Sequence, residues 1–563
     1  MSFNRGAKRP IRSLLAAAVI TVTAAAAAPA FAAGPYTQTV FFGDSLTDGG
    51  FFRPLLPASV RPVTGQFTTN PGLVWSQYLA DFYGTRAVPN GNGQTGTNYA
   101  AGGARVGINS TGALGPIPSL ATQVTNYLAA NGGRADSRAL YTVWGGANDL
   151  FAITNAGAPV VPTLPNAVAS EIGIVTQLQN AGARYILVAT VPDLGVTPAF
   201  RALGPAAQAN GTALSNNYNT ALFSGLATAG LRVIPLDTFN LIREITANAS
   251  AYGFSNITGT ACQPQITANS LTCNPTSYVT PDAPNTHLFA DGVHPTSRAH
   301  QILSQYAISV LEAPRQIAVL PHATAVVGRA RADRVSGHLA GKPAGDGMRW
   351  WVDARADFQR YDSGNNYDGV GPTLTGGVDW TSGNFVYGGF AGFGHNAYDF
   401  GLRGGDFDQT EATLGGFAGW YGEHAWVNGQ LSYTFASYDV NRDVVLGPVT
   451  RTHSGSPDGN NLSFGVNAGY NLGGEALTHG PVASVLIQRI DVDGYAEDQP
   501  TLSTSLAYPD QTFDSMITSL GWQASYEIND HLAPYARMTW DVEHEDAAAE
   551  AFAITPPVVH APT

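Results

Sequence analysis

Two periodicities divide the chain. From about residue 36 to residue 311, short apolar runs alternate with longer helical stretches. Residues 37–42, 140–144, 185–190 and 232–236 read as strands, and residues 167–181 and 213–229 as helices. Strands this apolar need cover on both faces, which predicts a parallel sheet between two helix layers. Beyond about residue 345 the period becomes two. Val427, Gly429, Leu431, Tyr433 and Phe435 alternate with Asn428, Gln430, Ser432 and Thr434, and Trp350, Val352, Ala354 and Phe358 alternate with Asp353, Arg355 and Asp357. The segments run to about ten residues, with aromatics near their ends and Gly/Asn/Asp turns between them, which fits the strands of a transmembrane barrel. A soluble sandwich alternates too, and pattern alone leaves it open.

Between these halves, residues 323–339 read as a helix carrying Arg329, Arg331 and Arg334 among small residues, while Pro314 and Pro321 make the stretch before it less regular. Such a slim basic helix suits a polar lumen, with Asp353 and Asp357 as facing charges; an exposed linker helix is the alternative. At the start, Arg5, Lys8, Arg9 and Arg12 precede an apolar run over residues 14–28 and then Pro29-Ala30-Phe31-Ala32-Ala33. Basic residues, a short apolar core and small residues at the end are the marks of a cleaved signal peptide. The run is shorter than the ~20 residues a membrane span needs.

Composition narrows the picture. The chain has 563 residues, 44% of them hydrophobic and 12% charged, the latter about half the usual share. Its length predicts two to four domains. A formal charge of −13 argues against a dedicated nucleic-acid binder. Two cysteines, Cys262 and Cys273, exclude a four-cysteine zinc site. In an oxidising compartment a bond between them is expected, against the alternative of two free thiols.

Four short segments carry candidate chemistry. Gly43-Asp44-Ser45-Leu46-Thr47-Asp48-Gly49-Gly50 follows the first strand, where the carboxyl end of a parallel strand presents a site. Asn98-Tyr99-Ala100-Ala101-Gly102-Gly103 and Gly146-Ala147-Asn148-Asp149 offer a glycine N–H and an Asn amide, donors suited to an oxyanion. Asp291-Gly292-Val293-His294 supplies a base for a serine hydroxyl, with a carboxylate three residues earlier to fix its tautomer. Taken singly, each segment is equally an ordinary turn or a chance pair. His287 reads as a surface residue, and Asp193 and Asp237 as capping residues. The apolar stretch from Phe51-Phe52 to Leu55-Leu56 suits either an acyl chain or ordinary core.

In this order and spacing the four segments resemble the GDSL esterase/lipase family, also called SGNH hydrolases. The resemblance covers about residues 36–311. It implies an α/β fold with a flavodoxin-like, three-layer parallel sheet. Ser45 matches the nucleophile, Asp291 and His294 its Asp-x-x-His partners, and Ser45, Gly103 and Asn148 the oxyanion hole, with Gly102 adjacent to the glycine position. No metal or organic cofactor is implied. The whole chain resembles the autotransporter esterases, in which a signal peptide (1–33), a GDSL passenger (34–312), a pore-spanning helix (313–345) and a β-barrel (346–563) share one polypeptide. That group implies a carboxylester hydrolase at the outer membrane with its passenger at the cell surface. Its partners would be an acyl-ester substrate and the outer-membrane assembly machinery, with no nucleic acid. A catalytically inactive adhesin or porin and a carbohydrate acetylesterase are the alternatives. The Pro-rich stretch at residues 556–563 departs from the aromatic closing strand of such barrels, so terminal strands are expected to be missing or replaced.

Overall fold

The strands Thr39–Gly43, Leu140–Trp144, Tyr185–Ala189 and Ile234–Leu236 pair in parallel and in chain order, Thr39 opposite Leu140 and Leu140 opposite Tyr185. An isolated parallel bridge between Phe41 and Asn98 adds a rudimentary edge beyond the first strand. The computed structural model describes residues 35–341, 346–401, 404–474, 477–528, 534–545 and 553–555. The expected signal peptide and the Pro-rich stretch at residues 556–563 lie outside them.

Side-chain alternation sends the strands into two cores. Val40, Phe42, Tyr141, Val143, Ile186 and Val188 meet Val124, Val175 and Leu222 from helices on one face. Phe41, Trp144, Leu187 and Leu236 meet Trp75, Leu79, Leu241 and Leu303 on the other. This is why the strands read as unbroken apolar runs. Two helices are longer than their apolar periodicity suggests, spanning Val160–Asn180 and Pro205–Thr228. Pro162, Pro165 and Asn210-Gly211 hide their N-terminal turns from a pattern argument.

The second half is one antiparallel meander of long strands, from Gly347–Tyr361 to Tyr535–Glu543. Among the described residues no pairing joins its first strand to its last. Its outer face is apolar and exposed, with Trp350, Phe358, Leu414, Phe435, Leu520 and Trp540 among the residues on it. Its inner face buries Asn428, Gln430, Thr434, Asn461 and Gln488. Polar inside and apolar outside inverts a soluble core and matches a wall of hydrocarbon. No helix among the described residues is long and apolar enough to cross a membrane.

The helix Ser297–Ile317 belongs to the α/β half, and Val319–His338 continues from it along the inner face of the meander. Neither proline interrupts as the sequence suggests: Pro314 lies within the first helix, and Pro321 falls in the first turn of the second, where its missing N–H is not needed. Arg331 is buried and reaches Glu411 at 2.5 Å and Thr413 at 2.6 Å. Arg334 faces Asp353 at 3.7 Å. Asp357 instead pairs with Arg355 of its own strand at 2.7 Å, because residues two apart on a strand share a face.

Candidate active site

The first strand ends in Gly43, where a Cβ would stand 2.9 Å from Thr47 Oγ1 and 3.0 Å from the Trp144 carbonyl. A side chain there would have to displace Thr47. Thr47 and Asp48 both donate their N–H to the Asp44 carbonyl, so the chain coils tightly and Ser45 stands at the carboxyl end of the sheet. Gln123 clamps the turn from the helix Leu120–Ala130, donating from Nε2 to the Gly43 carbonyl and accepting the Gly43 N–H at Oε1, both at 2.9 Å.

His294 approaches from the other end of the α/β half. Asp291 Oδ1 accepts the N–H groups of Val293 and His294 at 3.0 and 2.8 Å, a local turn that folds the imidazole back on the carboxylate. His294 Nδ1 lies 2.8 Å from Asp291 Oδ2, and Nε2 lies 2.8 Å from Ser45 Oγ. With the Nδ1–H donating to the carboxylate, Nε2 is free to accept the hydroxyl proton. The Phe67 ring covers the imidazole, its centroid 5.3 Å away. Asp291 takes a further N–H from Ser270 at 2.9 Å. Ser270 lies between Cys262 and Cys273, which are joined as a disulfide.

Burial opposes charge here, and the partners decide the outcome. At Asp291 the burial penalty is outweighed by His294 and the hydrogen bonds from Ser270 and Val293, so the carboxyl is held well below its usual range. At His294 burial lowers basicity, but the Asp291 and Asp44 carboxylates raise it further, and the net shift is upward. Among the described residues Asp44 forms no ion pair with Lys or Arg. Burial pushes it up to about 6, against the Leu46 N–H and the nearby His294.

Asn148 opens the helix Ala147–Thr154, and its Nδ2 lies 3.0 Å from the Ala104 carbonyl and 3.2 Å from Asp44 Oδ2. Gly102 donates its N–H to Asp48 Oδ2 at 2.9 Å, whereas the Gly103 N–H has no partner among the described residues. Gly103 has φ +80°, the left-handed region that favours glycine. The sequence presents Asp48 only as a member of the first segment. In the structure it is fully buried and also accepts the N–H groups of Gly50 and Phe51 at 2.7 and 2.6 Å. Asp149 likewise holds Arg105 at 2.8 Å and the Val106 N–H at 3.0 Å. Acidic residues inside motif segments are the available signal for both; Gly102 for Asp48, and Arg105 and Val106 for Asp149, lie elsewhere in the chain.

A mostly apolar cavity opens beside Ser45, lined by Leu46, Trp144, Phe151, Leu241, Ile242 and Ile245 among others. Phe51 and Phe52 do not line it; they pack with Ala101 and Leu271 in a separate cluster. His287 sits apart, 3.1 Å from Asn256. Asp193 and Asp237 cap local turns, accepting the N–H of Gly195 at 2.9 Å and of Asn240 at 3.0 Å.

Comparison with known proteins accounts for both halves. Residues 39–307 match the family model for GDSL-like lipase/acylhydrolase, and residues 350–556 that for the autotransporter beta-domain. Esterase EstA of Pseudomonas aeruginosa is 29% identical over 92% of this chain and 86% of its own length. Lipase 1 of Photorhabdus luminescens is 26% identical over 91% of this chain and 85% of its own. An uncharacterized protein from the trpE-trpG intergenic region of Pseudomonas putida is 30% identical over 95% and 93%. With an α/β half of the first kind and a lipid-facing meander of the second, the chain belongs to the GDSL esterase/lipase autotransporters and is a carboxylesterase or lipase of the outer membrane.

Proposed function

We propose that the chain is a serine carboxylester hydrolase in which Ser45 is the nucleophile, His294 the general base and then acid, and Asp291 the residue that orients and charges the imidazole. The observation that carries this reading is the continuous contact from Asp291 through His294 to Ser45 Oγ. In the proposed cycle His294 Nε2 takes the hydroxyl proton as Oγ attacks the ester carbonyl. The tetrahedral adduct collapses to an acyl-enzyme, and the imidazolium passes its proton to the departing alcohol. Water, deprotonated by the same nitrogen, then frees the acid and restores Ser45.

The carbonyl oxygen gains a full charge on the way, and fixed donors must meet it. The Ser45 and Gly103 N–H groups, unpartnered among the described residues, and the Asn148 amide are the proposed set. Gly103 is preferred to Gly102 because the Gly102 N–H already serves Asp48. Asn148 carries two N–H hydrogens; one stays on Ala104 while the second, on a 3.2 Å contact to Asp44, turns to the oxyanion. The apolar cavity favours an ester with an acyl chain over an acetylated carbohydrate. The reading has the passenger displayed at the cell surface, the signal peptide removed and the helix Val319–His338 threading the barrel that anchors it.

A purified Ser45→Ala variant should keep its melting temperature, lose turnover of nitrophenyl esters and no longer react with a fluorophosphonate probe. Turnover undiminished in that variant would refute the assignment.

A further inference from the structure

The cavity beside Ser45 owes one wall to the helix Thr238–Ala247, through Leu241, Ile242 and Ile245. Arg243 and Ala247 on that helix are exposed, but Glu244 between them meets the barrel. Glu244 accepts the Ser503 N–H at 2.7 Å and the Ser503 hydroxyl at 3.0 Å, and pairs with Arg451 at 2.7 Å. Arg451 also reaches the Tyr252 hydroxyl, just past the end of the helix. At the other end the Asp237 N–H donates to the Tyr306 hydroxyl, which itself donates to the Ser503 carbonyl, each at 3.0 Å. Both ends of the cavity wall are therefore tied to barrel residues.

The barrel side of this contact is stiffly built. Ala425–Leu446 has 22 residues, about 70 Å at ~3.3 Å per residue and roughly 50–60 Å along the membrane normal at a 35–45° tilt, well beyond a ~30 Å hydrocarbon layer. Its far end turns back at Gly447-Pro448 into Val449–Gly455. Val444 and Leu446 are fully buried in the same core as Leu241 and Ile245. The segment bearing Ser503 is held by a buried bidentate pair, Arg442 to Glu497 at 2.6 and 2.7 Å. Arg442 also donates to the Thr504 carbonyl at 2.7 Å. Burying two charges is expensive unless their geometry is fixed and their remaining hydrogen bonds are met. Here the Leu506 N–H and the Tyr508 hydroxyl complete Glu497 at 2.8 and 3.0 Å.

We propose that the hairpin ending at Gly447-Pro448 and the segment around Ser503 are a fixed prop behind the acyl cavity. Arg451, Glu244 and Ser503 then act as positioning residues that set how long an acyl chain the enzyme accepts. The inference rests on the reading of Ser45 as the nucleophile beside that cavity. A wall free to move outward loses contacts with the far end of a long chain, while the carbonyl end, held at Ser45, His294 and Asn148, is unaffected. The prop therefore governs discrimination among chains rather than the chemical step.

The test uses the full-length protein in detergent micelles and nitrophenyl acetate and decanoate as substrates. In Arg451→Gln the decanoate KM should rise five- to tenfold, while kcat for both esters and the acetate KM stay within twofold. Arg451→Lys, which keeps the charge opposite Glu244, should remain within twofold of wild type throughout. Glu244→Gln, which leaves the barrel sequence untouched, should repeat the Arg451→Gln split. Equal changes for the two esters, or none for either, would overturn the prop. If Ser45→Ala is inert in the same assays, that failure belongs to the prop alone; if Ser45→Ala is active, both readings fall.

Discussion

Substituting Asp48 by Asn separates catalysis from stability. Asp48 Oδ1 holds the Gly50 and Phe51 N–H groups, and an Asn keeps that acceptor. Oδ2 holds the Gly102 N–H, and there the Asn presents an amide donor to a donor. Leaving one buried N–H unmet costs about 1–3 kcal/mol. Against this, burial pushes the Asp48 carboxyl up to about 6 from 3.8, so holding it ionised at neutral pH costs about 3 kcal/mol at 1.36 kcal/mol per unit. A neutral Asn removes that cost. The two effects nearly cancel, and urea unfolding of the full chain should move by no more than about 2 kcal/mol. Turnover should not be spared. The Ala101–Gly102 peptide, pushed off Asp48, carries the adjoining Gly103 N–H away from the oxyanion, and one lost donor is worth a factor of about 10²–10³ in kcat. Steady-state kinetics with nitrophenyl butyrate at pH 7.5 measures it. A kcat within about threefold of wild type would refute both the role of Asp48 and the choice of Gly103.

The remaining predictions concern pH and the disulfide. His294 must be neutral to accept a proton, and its basicity is raised above the ordinary 6.5 by Asp291 and Asp44; kcat/KM should therefore fall on the acid side through a midpoint above 6.5, and Asp44→Asn should move that midpoint down. A midpoint unchanged in the variant would remove Asp44 from the electrostatics of the site. The Cys262–Cys273 bond spans 11 positions, and opening a loop of this size costs about 2–3 kcal/mol. A Cys262→Ala/Cys273→Ala variant should lose that stability in urea and several-fold in kcat, because Ser270 then holds Asp291 less firmly; wild-type values for both would rule out the brace.

The sequence by itself determined the two halves and picked out the candidate reacting groups. Apolar runs with no polar alternation specify a sheet covered on both faces, and strict alternation specifies a sheet with one face in each of two media, because side-chain direction follows the backbone period. The Asp291-to-His294 contact is equally local, a turn three residues long. What the chain order could not contain is anything set by contacts over long separations. Ser45 and His294 are 249 positions apart, Glu244 and Ser503 259, and Arg331 and Glu411 80. Asp48 and Gly102 are 54 apart, and only their hydrogen bond tells two neighbouring glycines from each other. Nor could the alternation of residues 427–435 say which face would be inside. Val427 and Asn428 are placed by the medium each face meets, and only the curled sheet, with a helix and its arginine on the inner face and exposed tryptophans on the outer, decides that the polar face turns inward.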